Sequence, residues 1–449
     1  MRCRISWHCR SVERPENEWP ENAVWAGILI AIMPQPIRIM HFGDIHFGVE
    51  NYGRFDPQTG LPSRLIDFRN ALLQAIEIAL EAGVELAVFS GDAYKTRDPN
   101  QTHQREFAQC LAKLTAADVP VVLLAGNHDI PNTKGRANAI EIFGALAGDK
   151  LHVFDTPGKT VVTTKLGRAV QIAAMPYLIK SLVLSREENK DKGVQETTQL
   201  IVDRYTLGID TLAAACDPDL PTILMGHFSV TNAKLSANQV GYLTNEPEVP
   251  LSALTQAPFD YVALGHIHRY QDLNKGKQPP VVYSGSVERI DFGERAEEKG
   301  FALVDLAKGA TEVKHVVVKT RPFVEIDVDA TTAGDDPTGA IVAAIRKEKI
   351  DDAIVKVSYK INSEQQAAIR DADIRAALGA AFLTVSLSKE IVRDTDAVRS
   401  KLLTEALSPL EALAVYCGTR DTLRPRTGEL VARAEPLLRE LETEEALKV

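Results

Sequence analysis

Residues Leu123–Ile130 read LLAGNHDI, a short apolar run that ends in a glycine and is followed at once by polar side chains typical of metal ligands. The apolar residues predict a buried strand, and the glycine allows the backbone to turn sharply or approach a neighbour closely. Open α/β sheets bind their ligands in the crevice at the carboxyl ends of the strands. The stretch therefore predicts a functional site at a sheet edge.

The same pattern occurs at four other places in the chain. The predicted strands Ile37–Phe42, Leu86–Ser90, Ile223–Met225 and Tyr261–Leu264 precede GDIH, GD, GH and GHIH respectively. A lone histidine after a glycine is more often a turn or core residue, but repeated glycine–ligand pairs at strand ends favour one shared site. The candidate ligands are Asp44, His46, Asp92, Asn127, His227, His266 and His268.

Carboxylate, amide and imidazole ligands without cysteine suit manganese, iron or zinc, and CxxC pairs of the kind that hold structural zinc are absent from the sequence. Two ions need about four ligands each, so seven residues suffice if one carboxylate bridges. We expect Asp92 to bridge, with one ion also held by Asp44, His46 and His268 and the other by Asn127, His227 and His266. Two such ions can hold both the attacking and the leaving oxygen of a phosphate ester.

Two further residues of the opening stretch are candidates for catalysis. His128 directly follows Asn127, so we expect it to point into the same cleft and to stabilise developing charge or protonate the leaving oxygen. Asp129 could orient this histidine by accepting a hydrogen bond. The remaining histidines are expected to be structural or to lie in the N-terminal tail.

Length, charge and cysteine content set the wider limits. A chain of 449 residues should hold two or three domains, and its net charge of -10 argues against a broad, sequence-blind nucleic-acid surface, although a local basic groove is compatible with it. Five scattered cysteines indicate no disulfide framework, which favours a reducing cytoplasm. The apolar segment Ala23–Met33 is too short to span a membrane, and residues 1–33 are expected to be a disordered or mis-started extension.

The order of predicted elements indicates an α/β fold. Strands separated by helices and then strands in series predict a sandwich of sheets flanked by helices over residues 34–320. A small α+β domain is expected at 321–394, followed by a helix–loop–helix at 395–449. Leu402, Leu403, Leu407, Leu410 and Leu413 form an apolar stripe in this last region, which should pack on the protein or on a partner helix.

The motifs GDIH, SGD, GNHD, MGH and GHIH resemble those of the calcineurin-like metallophosphoesterase superfamily. GDAYKTRDPNQTHQREFA, GSVERIDFGERAEEKGFALVDL and the C-terminal helical pair are similar, more specifically, to SbcD-type DNA repair exonuclease subunits. In this resemblance the seven candidate ligands and His128 match the family's motif positions. It departs at Lys95, where many relatives have a histidine; this lysine could contact a phosphate or simply be solvated.

The resemblance implies exonuclease and endonuclease activity on DNA ends and hairpins with two divalent ions, Mn²⁺ in the first place. It also implies a capping domain, a homodimer, and an SbcC-like SMC ATPase whose coiled-coil base receives the C-terminal helices. An alternative is a phosphodiesterase for small phosphodiesters or phosphoproteins, which would better explain the acidic charge. A scaffold without catalysis is disfavoured because every ligand position is filled. Lys134, Arg136, Lys180 and Arg186 are candidate DNA contacts, although scattered basic residues are usually only solvated.

Overall fold

The computed structural model describes residues 35–131, 135–146, 148–180, 183, 193–239, 246–392, 408–420 and 422–446. The extension expected at 1–33 lies outside this part of the chain. The described residues separate into two compact units. The first comprises residues up to Gly48 together with Arg69–Val287 and Glu298–Val318, and the second comprises Val49–Phe68, Glu288–Glu297 and the residues from Lys319 onward.

Among the residues that the structure describes, fourteen strands form the sheets of the first unit. In chain order they are β1 (Ile37–Phe42), β2 (Leu86–Phe89), β3 (Val121–Leu124), β4 (Leu151–Phe154), β5 (Gly158–Thr163), β6 (Ala169–Met175), β7 (Thr222–His227), β8 (Ser229–Val230), β9 (Glu248–Val249), β10 (Tyr261–Gly265), β11 (Gln271–Asp272), β12 (Val281–Tyr283), β13 (Gly300–Leu306) and β14 (Glu312–Val317). One six-stranded sheet has the order β14-β13-β1-β2-β3-β4 and a second has the order β11-β12-β10-β7-β6-β5. The short strands β8 and β9 pair with each other.

The two large sheets share an apolar core. Ile39 and Val88 of the first sheet belong to the same buried cluster as Ile172, Ile223 and Ala263 of the second. Burying an aliphatic side chain of this size stabilises the fold by roughly 1.5–3 kcal/mol, so this shared layer joins the sheets. The predicted sandwich is confirmed, and the strands expected at its centre form where the apolar runs placed them.

Helices of the first unit connect and cover the sheets. They are α1 (Ser63–Glu81), whose first turn belongs to the second unit, and α2 (Gln101–Ala116), α3 (Glu141–Leu146), α4 (Val194–Ala215) and α5 (Leu251–Leu254). Ile201, Tyr205 and Ile209 of α4 pack with Leu224 and Val262 on the outer side of the second sheet. In the sequence, Asp98-Pro99 predicts a helix capped by Asp98. Helix α2 begins two residues later, because Asn100 is the cap and accepts the hydrogen bond from the His103 amide at 2.9 Å.

Parallel pairing at the centre of each sheet sets the position of the site. Strand β2 pairs in parallel with β1 and β3, and β10 pairs in parallel with β7 and β12. Parallel strands end at the same edge, so the loops after β1, β2 and β3 meet, as do those after β7 and β10. This edge carries all the glycine–ligand motifs.

The second unit has its own small parallel sheet. Its strands are β15 (Phe323–Asp329), β16 (Ile354–Asn362) and β17 (Leu383–Val392), and its helices are α6 (Pro337–Lys347), α7 (Asp371–Ala377), α8 (Pro409–Gly418) and α9 (Thr427–Ala446). The sequence pattern missed β15. After β16 the structure has a 3₁₀ turn, Ser363–Ala368, and then the separate helix α7, because the Arg370 amide donates to the Thr338 hydroxyl.

The C-terminal helices are described only in part. Helix α8 begins after Ser408, whose hydroxyl accepts from the Glu411 amide. Leu402, Leu403 and Leu407 of the predicted stripe lie outside the described residues, whereas Leu410 and Leu413 lie on α8 and are half-buried. Within the described part of the chain, no helix combines the length and the apolar character needed to cross a bilayer.

Candidate metal centre

The strand ends of the first unit bring carboxylates and imidazoles together in three overlapping groups. They are Asp44, His46 and His268; His46, Asp92 and His128; and Asp44, Asp92 and His227. Within each group the ligand-type atoms lie within 4.8 Å of one another. Residues that are far apart in the sequence therefore share one cluster, as the repeated motif predicts.

His46 and His268 form one side of the cluster. Their Nε2 atoms are 3.1 Å apart, and the Nε2 atom of His46 is 3.6 Å from the Asp92 carboxylate. The Asp44 carboxylate accepts two hydrogen bonds from the His266 amide, at 2.9 and 3.1 Å. Burial raises the pKa of Asp44, an effect that the charge of Asp92 reinforces.

Asn127, His227 and His266 form the other side. The Asn127 Oδ1 atom is 3.0 Å from both His227 Nε2 and His266 Nδ1. The other nitrogen of each of these two rings donates a hydrogen bond. His227 Nδ1 lies 2.7 Å from the Ser90 carbonyl oxygen, and His266 Nε2 lies 2.5 Å from a carboxylate oxygen of Glu246. In the neutral imidazoles three lone pairs therefore converge, an arrangement that a cation satisfies.

Asp92 lies between the two sides. Its Oδ2 atom is 3.4 Å from His227 Nε2, and its Oδ1 atom accepts from the His128 amide at 2.8 Å. Burial alone would raise the pKa of Asp92, but the positive charges of His227 and His128 hold it well below its usual range. Burial opposes the charge on His227 as well, yet the Asp92 carboxylate raises its pKa to about 9. A proton thus competes with a metal ion at this group.

The candidate ligands also carry backbone strain. Asp44, His46, Asp92 and His266 have φ values of 51°, 50°, 60° and 97°, in the left-handed region that residues other than glycine rarely adopt. Such conformations cost on the order of 1–3 kcal/mol each and cluster at functional sites. The strain therefore supports the motif residues as a site rather than as ordinary turns.

The glycines before the ligands are required by close approach between strand ends. A Cβ atom on Gly126 would lie 2.2 Å from the Asp92 carboxylate, and one on Gly91 would lie 2.4 Å from His227 Nδ1. A Cβ atom on Gly265 would lie 2.2 Å from the Ser90 carbonyl oxygen. Gly91 and Gly126 thus make room for ligands of other motifs, and Gly265 makes room for the end of the strand that precedes Asp92.

The model of the family described as calcineurin-like phosphoesterase matches residues 37–270, just over half of the chain. The chain belongs to this family. It is thus a metallophosphoesterase, and its donor set fits divalent metal ions because acceptor atoms of buried carboxylates, an amide and imidazoles face one another at 3.0–3.6 Å.

Two archaeal proteins described as DNA double-strand break repair protein Mre11 are similar to this phosphoesterase. The protein from Haloferax volcanii is 25% identical over 364 residues, which cover 80% of this chain and 69% of that protein. The protein from Thermoplasma acidophilum is 26% identical over 297 residues, which cover 65% and 68% respectively. Among solved structures, a dimetal phosphatase from Danio rerio is a distant likeness, with 12% identity, a TM-score of 0.37, and coverage of 64% of this chain and 100% of that chain.

His128 lies beside the metal cluster of the phosphoesterase, but its partner differs from the one expected. Its Nδ1 atom is 2.8 Å from the Lys95 carbonyl oxygen, and its ring lies 5.0 Å from that of His46. The expectation that Asp129 orients the His128 ring is wrong. The Asp129 carboxylate is fully buried and accepts instead from the amides of Asp92, Ala93 and Gly126, at 2.8, 3.0 and 2.9 Å.

Asp129 therefore ties the loop after β2 to the loop after β3. Adjacent residues in a tight turn point in different directions, which explains why a neighbour of His128 does not reach its ring. Burial, together with the charge of Asp92, raises the pKa of Asp129 to about 7. Its contacts make it a positioning residue.

Glu246 and Tyr177 were not predicted from the sequence. The Glu246 carboxylate contacts His266 and accepts from the Tyr177 hydroxyl at 3.2 Å and the Ser229 hydroxyl at 3.1 Å. Burial would raise the pKa of Glu246, but the charge of His266 and these hydrogen bonds lower it. Tyr177 follows strand β6 just as the ligands follow theirs, but no glycine precedes it, so no glycine–ligand pair marks it in the sequence.

An open groove runs past His128. Its volume is about 500 Å³, and its lining includes Lys95, Arg97 and Arg136. Arg136 also pairs with Asp98. Of the other basic residues considered for DNA binding, Lys180 lines a separate small cavity beside Tyr177, and Lys134 and Arg186 lie outside the described residues.

The remaining described histidines have structural surroundings. His41 is fully buried between the hydroxyls of Tyr261 and Ser90, and His315 stacks on Tyr270. His103 lies in the first turn of α2, and His152 lies on β4. His8 is outside the described residues.

Proposed function

We propose that this phosphoesterase is the nuclease subunit of a cytoplasmic DNA repair complex, hydrolysing phosphodiester bonds at DNA ends and hairpins as an exonuclease and an endonuclease. The observation that carries the proposal is the extent of the similarity to the Haloferax repair protein. It covers 364 residues, more than the span 37–270 of the phosphoesterase domain contains. A likeness confined to the shared catalytic domain would favour phosphodiesterases in general.

We propose two divalent ions, Mn²⁺ in the cell, as the cofactors. Asp44, His46 and His268 would hold one, Asn127, His227 and His266 the other, and Asp92 both, in keeping with the distances of 3.6 and 3.4 Å from its Oδ2 atom to His46 and His227. When bound, two such ions activate water and neutralise the charge that develops on a phosphodiester. The chain's own contribution is to hold the ligands in strained, fixed positions.

His128 is proposed as the general acid. Because its Nδ1 atom donates to the Lys95 carbonyl oxygen, its Nε2 atom is the acceptor in the neutral ring and carries a transferable proton in the imidazolium form. The ring can therefore protonate the oxygen of the leaving nucleotide or stabilise charge as the bond breaks. Asp129 supports this geometry indirectly, by fixing the two loops that carry Asp92 and His128.

The groove beside His128 is the proposed track for the DNA strand. Lys95 and Arg97 are exposed there, and a lysine offers a phosphate a point charge where many relatives of the SbcD type have a histidine. A local basic groove on an acidic chain limits DNA binding to the cleft. Binding through these side chains should weaken as salt increases.

The C-terminal helices are the proposed attachment point for an SbcC-like SMC ATPase. Tyr416 on α8 is 44% exposed and Leu437 on α9 is 60% exposed. Large apolar side chains that are left this exposed on a helical pair are typical of a surface that binds another protein. We also propose that the phosphoesterase unit forms a homodimer. Leu437→Glu should abolish co-elution with the ATPase while leaving the nuclease activity of the isolated chain unchanged.

The proposed function is tested by nucleotide release from linear duplex DNA and by hairpin opening, with and without the ATPase partner, beside turnover of bis-p-nitrophenyl phosphate. We expect Mn²⁺-dependent DNA cleavage that falls about 10²–10⁴-fold in His128→Ala. His152→Ala is the matched control, because His152 lies on β4 away from the cluster, and it should retain full activity.

Turnover of the small ester without action on DNA, even with the ATPase present, would contradict the proposal. It would favour the alternative of a phosphodiesterase for small phosphodiesters or phosphoproteins, for which the net charge of -10 is the supporting observation. Activity that is unchanged in His128→Ala would remove this histidine from the mechanism.

A further inference from the structure

We propose that Glu246 is a positioning residue that fixes the tautomer and orientation of His266 and thereby sets the affinity of the metal ion on the Asn127 side of the cluster. The inference rests on the proposed metal site and deepens it. It assigns a specific task to a carboxylate that none of the sequence motifs contains.

The distances at His266 define the two ends of its ring. The Nε2 atom lies 2.5 Å from Glu246 Oε2, and the Nδ1 atom lies 3.0 Å from Asn127 Oδ1. A carboxylate can only accept, so the Nε2 atom carries the hydrogen and the Nδ1 atom presents its lone pair towards Asn127 and His227. Without this contact both tautomers of the neutral ring become accessible, and only one of them can bind a metal through Nδ1.

Glu246 is itself held in place by two hydroxyls. Ser229 donates to Oε2 at 3.1 Å and Tyr177 donates to Oε1 at 3.2 Å, so both oxygens have fixed partners. The Tyr177 ring also lies 6.0 Å from the His266 ring. Three donors, from His266, Ser229 and Tyr177, therefore converge on the Glu246 carboxylate, and the Glu246 side chain is only 17% exposed.

The surroundings of two other histidines of the cluster make the effect specific to His266. His227 fixes its own tautomer through the backbone, because its Nδ1 atom lies 2.7 Å from the Ser90 carbonyl oxygen. Among the described residues, His46 Nδ1 is buried without a hydrogen-bond partner, so no contact at that nitrogen fixes the tautomer of the ring. Glu246 should therefore act on one ion rather than on both.

The test is a calorimetric titration of the full-length protein with Mn²⁺. Loss of a hydrogen-bonding partner behind a ligating histidine typically weakens metal binding 10–100-fold. A cavity of about 60 Å³ beside Glu246 can admit water as a substitute acceptor, so the lower figure applies. We expect Glu246→Ala to raise one of the two Mn²⁺ dissociation constants about tenfold and to leave the other at its wild-type value.

Two further variants are controls, one for misfolding and one for general electrostatic effects. Glu246→Gln keeps the size and an acceptor oxygen but loses the charge, so it should fold as wild type does and weaken the same site by about threefold. Glu248→Gln removes the same charge two residues along, from an exposed position on β9. It should leave both dissociation constants at the wild-type values.

Each outcome has a distinct meaning. Wild-type affinities in both Glu246 variants, or equal weakening in Glu248→Gln, would overturn the inference. Weakening of one site in Glu246→Ala and Glu246→Gln alone would support it, even if the protein then failed to cleave DNA, in which case only the proposed substrate would be wrong. A wild-type protein that bound no Mn²⁺ would overturn both proposals.

Discussion

In the second unit Arg64 is fully buried, and its guanidinium donates to Asp67 at 2.9 Å and to the Arg289 carbonyl oxygen at 2.5 Å. In the first unit Asp44 and Asp92 are equally buried, but they lie among imidazoles and close to each other. The buried charge of Arg64 is thus neutralised by an opposite charge within the same unit, which a buried ion pair requires in order to be stable.

The cluster of the first unit differs because its acceptor atoms face other acceptor atoms. Asn127 Oδ1 meets two imidazole nitrogens, and the Nε2 atoms of His46 and His268 face each other at 3.1 Å. Burial of polar groups is therefore a poor guide to function by itself. Convergence of like groups under backbone strain is the informative feature, and four changes can break or sharpen this distinction.

The largest effect is expected at Asp92. Asp92→Asn keeps the shape of the side chain but loses the charge that both sides of the cluster share, so phosphodiesterase activity should fall at least about a thousandfold. Steady-state hydrolysis of DNA and of a small phosphodiester measures this loss, and circular dichroism checks the fold. Retained activity would show that the carboxylate is structural, like those of the second unit.

Arg64→Met is the corresponding change in the second unit. It removes the buried cation that lies beside Asp67 and Glu288, although Asp67 keeps its pair with Arg321, and breaking such a buried pair costs about 3–5 kcal/mol of the free energy of unfolding. Denaturant unfolding measures the cost, and Mn²⁺ affinity should stay unchanged. Lys113→Met is the control, because its pair with Glu77 is exposed and should contribute less than about 1 kcal/mol.

Metal removal should destabilise the first unit alone. Mn²⁺ at a hundredfold excess over its dissociation constant stabilises the folded state by about 2.7 kcal/mol. Chelation should remove this stabilisation and so lower the melting temperature. Calorimetric scans with and without a chelator measure the shift. Asp92→Asn should show little or none of it, and an equal shift in that variant would place the stabilising metal elsewhere.

The smallest effect concerns the pH dependence of stability at His41. Burial lowers the pKa of this histidine to about 3, whereas the unfolded chain titrates near 6.5. Below pH 6.5 the unfolded chain therefore gains a proton that the folded chain does not, and stability is lost as the pH falls. Wild type should lose about 1 kcal/mol more than His41→Gln between pH 6.5 and 5.5, and parallel curves would exclude this histidine as the cause.

The sequence predicted the main sheets and their strand ends well because glycine followed by a ligand is a local signal. Gly126, for example, is needed since a Cβ atom there would meet the Asp92 carboxylate. The sequence also indicated the family correctly. Strand β15 was missed although apolar and charged residues alternate along Val324–Asp329, as they do in a half-buried strand, because no glycine–ligand pair marks its end.

Contacts between residues that are far apart in the chain could not be predicted, because they leave no local signal in the sequence. Glu246 stands in the polar stretch before β9, and nothing local marks it as a partner of His266. Asp129 was given the wrong partner because adjacency in sequence does not determine which way a turn residue points. The grouping of Val49–Phe68 with residues beyond Lys319 likewise depends on contacts across more than 250 positions, such as Arg321 with Asp67.

The most direct test of the central claim is the anomalous diffraction of a crystal of this protein grown with Mn²⁺. The account predicts two manganese peaks roughly 3.5–4 Å apart, with the Asp92 carboxylate between them and His266 on the ion beside Asn127. A single peak, or two peaks that do not share Asp92, would contradict the claim that five strand ends build one binuclear centre.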